Sequence, residues 1–284
     1  MICKNLTKTF TYVNSLGETI VLDAEHGFII NKPTGIDTLA ISHSMAQGIN
    51  QVGATIQSSN VQSRPVVING YLVGGNPLAD KDVLLGIVRP DLSARLYADD
   101  YYLEVRPTAT PTISHEKVFP AFQFSLVAAY PYWQKDSSAS ATLSGVRKAF
   151  KFPWNISRTY KFGEVISAAF INVYNDGQVP IPYTVTFSAI DAVVNPKLIE
   201  AATNEYLLLN KTLVAGEKVV VEITHERTYV NSTVDGECRG ALDLGSSFFR
   251  LAVGDNVIKP EATSGKSNLN VRIDFATEIV GVAV

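Results

Sequence analysis

Histidine is the side chain best suited to acid–base work or metal ligation near neutral pH, and the chain has four, His26, His43, His115 and His225, each standing alone. No second histidine sits at metal-ligand spacing, so none of them marks a metal or catalytic centre. Gly48 and Gly53 have the spacing of a phosphate loop, but Ala54-Thr55 follows where the lysine that reaches the phosphates is needed. There is no Gly-x-Ser-x-Gly elbow. Asp80-Lys81-Asp82 opens a candidate helix and reads as capping. Asp99-Asp100 and Asp235/Glu237 fall at turns, where acidic residues are favoured for backbone reasons, so they do not point to the carboxylate pair of a glycoside hydrolase. Trp133 and Trp154 would stack on sugars if exposed and pack if buried. Arg64, just before Pro65, could hold a buried or interfacial ion pair or cap a solvated strand end. Cys3 and Cys238 fit neither a disulfide framework nor a zinc site and read as free thiols.

The elements that would carry these residues are mostly strands. Val, Ile, Thr, Phe and Tyr make up 98 of the 284 residues and 18% are charged, which favours β-sheet over a long helical bundle. With 24 Lys+Arg against 27 Asp+Glu the net charge is −3, and no block of like charges appears. That balance disfavours nucleic acid as the main ligand. Met1-Ile2-Cys3-Lys4 has no apolar run behind it, and no apolar run approaches the roughly 18 residues of a membrane span, so a soluble protein without signal or anchor is expected. The sequons at Asn5, Asn155, Asn210 and Asn231 then carry no weight.

Alternation predicts a hairpin over residues 10–23 around Asn14-Ser15-Leu16-Gly17, then strands at 28–30, 39–43 and 64–73, with a mobile loop or strand crossing at 47–53. A helix is expected over 77–88, where Leu78, Val83, Leu84, Ile87 and Val88 share a face and Pro90 stops it. Strands resume at 94–97, 101–107 and 119–129. Residues 134–144, rich in Ser and Ala, mark a boundary. Beyond it strands are expected at 146–152, 168–174, 183–190, 195–201, 205–209, 218–224, 227–230, 247–253 and 269–275, with turns every eight to twelve residues as in a sandwich or jelly roll.

The order of certain pieces is more specific than any one of them. Lys32-Pro33-Thr34-Gly35-Ile36-Asp37 precedes a glycine-containing loop at 47–53, then Arg64-Pro65-Val66-Val67-Ile68-Asn69-Gly70, the helix, Leu96-Tyr97 and Tyr130-Pro131-Tyr132-Trp133. Asn175-Asp176-Gly177 is followed by Pro180 and Pro182, then Asn195-Pro196, Gly216-Glu217 and Gly254-Asp255-Asn256. Over nearly the whole chain this order resembles the distal tail proteins of long-tailed, non-contractile phages.

That resemblance implies a mostly β protein. Residues 1–134 would form a belt domain, a β-sandwich or barrel with one helix and a hairpin; 135–144 would be a linker; 145–284 would form a galectin-like β-sandwich. Belt domains would join edge to edge into a homohexameric ring between the tail tube protein and the tail hub, a socket for receptor-binding or other baseplate proteins. DNA would pass through its channel without specific binding, which the slight acidity suits. The place implied is the virion tail tip, after synthesis and assembly in the bacterial host cytoplasm, with no membrane contact, no cofactor, no metal and no catalytic residue. Gln47, Gly48, Gly53, Arg64, Val67 and Asn69 are the expected ring contacts, because strand edges offer unpaired N–H and C=O groups to a neighbour. The alternative is a module binding cell-wall glycans through the sandwich, stacking them on Trp133 or Trp154. Two features weigh against it: the chain has no room for an inserted carbohydrate-binding module, and His225-Glu226-Arg227 does not supply the His-x-Asn-x-Arg arrangement of true galectins.

Overall fold

A computed structural model describes residues 9–73, 77–115, 118–142, 144–148, 163–167 and 170–283. Cys3 and Trp154, two sequons, and part of the strand expected at 146–152 lie outside them. The described chain is mostly β and divides into two compact units, one of residues 1–136 with 278–284 and one of residues 137–277.

In the first unit the strands are β1 (Phe10–Asn14), β2 (Thr19–Leu22), β3 (Phe28–Ile30), β4 (Ile41–Ala46), β5 (Thr55–Val61), β6 (Arg64–Leu72), β7 (Ala94–Ala98), β8 (Tyr101–Pro107), β9 (Thr112–Ile113), β10 (Ala121–Ala128) and β11 (Trp133–Lys135). Seven of them form one antiparallel sheet in the order β2-β1-β7-β8-β10-β6-β3, and its end strands β2 and β3 come back near one another, so the sheet curls into a nearly closed barrel. Period-2 alternation sends Phe10, Tyr12, Leu96, Leu103, Val66, Ile68, Phe122 and Phe124 into a single core. The helix α1 (Pro77–Ile87) adds Leu84, and Val88 just beyond it is buried too. Asp80 lies in its first turn, where a negative charge suits the helix dipole.

The chain leaves this unit at β11 and returns on Glu278–Ile279, which pairs with β11 through Trp133↔Ile279 and Gln134↔Glu278. The last residues therefore belong with the first unit. Periodicity gives no hint of this, because the partner strand is about 140 residues away. Residues 139–142, placed in the expected linker, are a strand paired with Leu269–Phe275.

The second unit packs two antiparallel sheets around one core. One contains Leu269–Phe275, Thr184–Ala189, Lys218–Ile223 and Thr228–Ser232, and the other Ile171–Asn175, Gly254–Glu261, Lys197–Glu200 and Tyr206–Leu208. Val185, Phe187, Val219, Val221 and Ile273 meet Val173, Leu198, Leu207 and Ile258 between them. The strand expected at 247–253 is instead irregular, and Gly254-Asp255-Asn256, expected as a turn after it, opens the strand Gly254–Glu261. The buried Asn256 decides this: its side-chain amide donates to the carbonyls of Val173, Ala252 and Gly254 and its oxygen accepts from the Ala252 N–H, tying the turn to the strand it starts.

Candidate functional site

β4 and β5 pair with each other and, among the described residues, with no other strand, so this ribbon is a two-stranded sheet of its own. Its register runs Ile41↔Val61, His43↔Ser59 and Ser44↔Ser58, then shifts so that Met45 faces Ile56. The shift has a consequence for the side chains. Ile56 and Val61 are an odd number of residues apart and would point to opposite faces of a regular strand, but the extra residue Gln57 restores the phase. One face thus collects Ile41, Met45, Ile56 and Val61, all exposed, around the hydrogen-bonded pair His43 and Ser59. The other carries Ser42, Ser44, Ser58, Asn60 and Thr55.

The tip is residues 47–54. Gln47 and Gly48 are tied to Gln51 through the Gln47 side-chain amide on the Gln51 carbonyl and the Gly48 N–H on Gln51 Oε1. Gly53 takes φ +82° and Asn50 φ +62°, conformations that turn the chain back. Just before each of them in the chain, Ile49 is 98% and Val52 101% exposed. From Thr38 to Ser63 there is no Asp, Glu, Lys or Arg. Exposed ribbons ordinarily carry charge that keeps them from pairing with other chains, and this one does not. That uncharged run is legible in the sequence and is the signal that identifies the ribbon; alternation alone missed β5, whose residues are mostly polar.

The other expected contacts are placed differently. Arg64 is 2% exposed. Its Nε donates to Pro131 O at 2.7 Å, its Nη1 to Gly35 O and Ile36 O, each at 2.9 Å, and its Nη2 to Val280 O. It is a structural clamp with carbonyl partners, neither an ion pair nor a solvated strand end. Burial lowers its pKa from the usual arginine value, against the pull of Asp37. Nor does β6 have an open edge: β10 pairs along one side, β3 along part of the other, and the Val67 and Thr34 N–H groups exchange bonds with each other's carbonyls. Val67 and Asn69 are half-buried in mid-sheet. The structure therefore brings Gln47, Gly48 and Gly53 together at the ribbon tip, away from Arg64, Val67 and Asn69.

Trp133 is 0% exposed and donates its indole N–H to Ile36 O at 3.1 Å, so it has no face to offer a sugar. Among the described residues no group of three or more His, Cys, Asp or Glu is arranged to hold a metal. A charged cluster lies in the second unit, where Lys211 bonds Glu217 at 2.9 Å and also Asp235. Burial would raise the Glu217 pKa, but the Ser232 hydroxyl, the Lys211 ammonium and the Val214 N–H outweigh it and hold the carboxyl below its usual range. Cys238, a free thiol, is pushed up by burial and has none of the character of a nucleophile.

Residues 176–278 match the family model of the siphovirus-type tail component, C-terminal domain. These residues form a domain of that family. The resemblance to distal tail proteins drawn from the order of its motifs is borne out. Over 95% of this chain and 99% of that one, the fold is similar to the crystal structure of the Dit protein of phage SPP1, described as a paradigm of the hub adsorption apparatus in phages that infect Gram-positive bacteria, with a TM-score of 0.70 at 13% identity. It is also similar to a chain of the phage P2 baseplate in its activated conformation, with a TM-score of 0.50 at 9% identity over 98% of this chain and 100% of that one. No curated protein matches.

Proposed function

We propose that this chain is a non-catalytic structural component of a phage tail tip, that six copies close into a ring through the first unit, and that the ring joins the tail tube to the hub. The observation that carries the reading is the ribbon: an uncharged arm with an apolar face and two unpaired edges, in a chain with a tail-component domain. An isolated two-stranded hairpin is marginal in water, and its apolar face gains stability only when another surface covers it. A ring supplies that surface in every copy.

In this reading the second unit is the mount for receptor-binding or other baseplate proteins, and the virion tail tip is where the protein acts. Its net charge of −3 per copy disfavours retention of DNA in transit. The glycan-binding alternative loses Trp133, one of its two expected platforms, to burial, and the other, Trp154, lies outside the described residues. Light scattering after size exclusion, with negative-stain images of the same peak, tests the ring. Six copies of 30.8 kDa give about 185 kDa and a central hole. A monomer at every concentration, alone and with the tail tube protein, counts against the reading.

A further inference from the structure

Building on the ring reading, on which it rests, we propose that the ribbon tip of one copy seats Ile49 and Val52 in the groove at the ribbon root of the next copy. That groove, about 280 Å³, lies between the segment preceding β4 and the start of β6 and is lined by Thr34, Thr38, Leu39, Ala40, Pro65 and Val67. Gly35 sets its floor: at φ +82° the chain runs so close to β6 that a Cβ there would lie 1.9 Å from Pro65 O. Gly35 and Arg64 line it too, and Arg64 is the one charged residue among them. The Arg64 cation is spent on four carbonyls. An aliphatic, uncharged tip therefore enters without stripping water from an unpaired charge.

The occupant must be another molecule. Ala40 in the groove adjoins Ile41 at the ribbon root, and six residues of strand carry the tip roughly 20 Å away at about 3.3 Å per residue. Ile49 and Val52 are correspondingly bare in their own chain. A second copy fits best, since one chain then bears both an aliphatic uncharged tip and, at a fixed offset, a groove whose one cation is already bonded to carbonyls. Across a twofold axis the same two surfaces would close a dimer, and the ladder of crosslinks would stop at two; in the ring reading they do not close at two copies. They join head to tail, the contact type that closes into a ring when the rotation between copies permits. The ribbon's apolar face is then covered along the path between the two.

The test is disulfide trapping in the full chain with both native thiols removed, Cys3→Ser and Cys238→Ser. Val52→Cys and Leu39→Cys are made singly, mixed and oxidised, with Ile49→Cys and Thr38→Cys as a second pair so that one poor bond geometry does not decide the result. A covalent dimer from each mixture, absent from either variant alone, is expected. Both substitutions in one chain should give a ladder that stops at six. Val52→Cys mixed with Leu244→Cys, an equally exposed site on the second unit, is the control and should stay at background. If rings form but both mixtures stay at the control level, this contact is wrong and the ring reading survives. Self-crosslinking of Val52→Cys means tip-to-tip pairing and also overturns it. A persistent monomer with no crosslink removes both.

Discussion

Replacing Arg64 with methionine should detach the C-terminal strand from the first unit. Four carbonyls lose their donor, but not equally. Ile36 O keeps the Trp133 indole N–H, whereas Pro131 O, bonded in a buried setting, is left with no donor among the described residues. The bonds to Gly35 and Val280 are partly exposed, so water can replace them in part. At about 1–3 kcal/mol for a buried group left unsatisfied and about 1.5–3 kcal/mol for a hydrogen bond to a charged donor, the loss is roughly 3–5 kcal/mol. Removing a buried charge, whose desolvation already lowers the arginine pKa, offsets about 1 kcal/mol of it. A net loss of about 3 kcal/mol is a large part of the 5–15 kcal/mol typical of a domain and corresponds to a fall in melting temperature of roughly 10 °C.

The assay is calorimetry of the full chain combined with amide hydrogen exchange. Exchange should quicken first in residues 278–282, which hold on through the β11 pairing and the Val282 N–H on Ile36 O. The Leu269–Phe275 strand in the second unit should keep its protection. Arg64→Lys should recover little, because one ammonium cannot reach four carbonyls in the geometry of a guanidinium. Full rescue by lysine would refute the reasoning in favour of simple attraction to Asp37, and so would a loss under about 1 kcal/mol with residues 278–282 still protected.

Tyr12 is buried with no partner for its hydroxyl, and burial pushes its pKa up to about 12. A raised folded pKa contributes stability that is complete below 10 and lost as pH climbs toward 12. Tyr12→Phe should therefore abolish an alkaline destabilisation of the first unit, read by thermal melts between pH 9 and pH 12, and should be neutral or stabilising by about 1 kcal/mol at pH 7. The depressed carboxyl of Glu217 has the opposite sign: its contribution is present above the ordinary glutamate range and lost as pH falls through the folded value. Melts of the second unit should fall below about pH 4.5 and Glu217→Gln should flatten that dependence, whereas an unchanged acid limb would assign the sensitivity elsewhere. Gly35→Ala forces a Cβ against Pro65 O at a positive φ; soluble yield or melting temperature should drop by more than the roughly 1 kcal/mol of an ordinary strained turn, and a wild-type melt would show that the backbone yields there.

Much of this was readable in the sequence because the signals are local. Alternation places Phe10–Asn14, Arg64–Leu72, Tyr101–Pro107 and Leu269–Phe275 within a residue or so, since one buried face writes itself as period 2 in the chain. The helix at Pro77–Ile87 is where its apolar residues and Pro90 placed it, although Val83, expected on the shared face, is exposed. The order of the loops, more than any residue, carried the family. Gln47, Gly48 and Gly53 were placed at an exposed turn by their composition, and that is where they are.

What the sequence could not decide depends on which distant surfaces meet. Arg64 reads alike as an ion pair, an interface or a strand end until the fold sets Gly35, Ile36, Pro131 and Val280 around it. Trp133 reads as a platform or as core until β11 is packed between β8 and the returning Glu278–Ile279. The open edge is the clearest case. β6 looked available because its own residues are apolar and extended, but an edge is defined by the absence of neighbours, a property of the sheet rather than of the strand. Tertiary structure closed that edge with β10, β3 and Thr34 and left open the polar ribbon beside it, whose bulge at Gln57 gathers four scattered apolar residues onto one uncovered face.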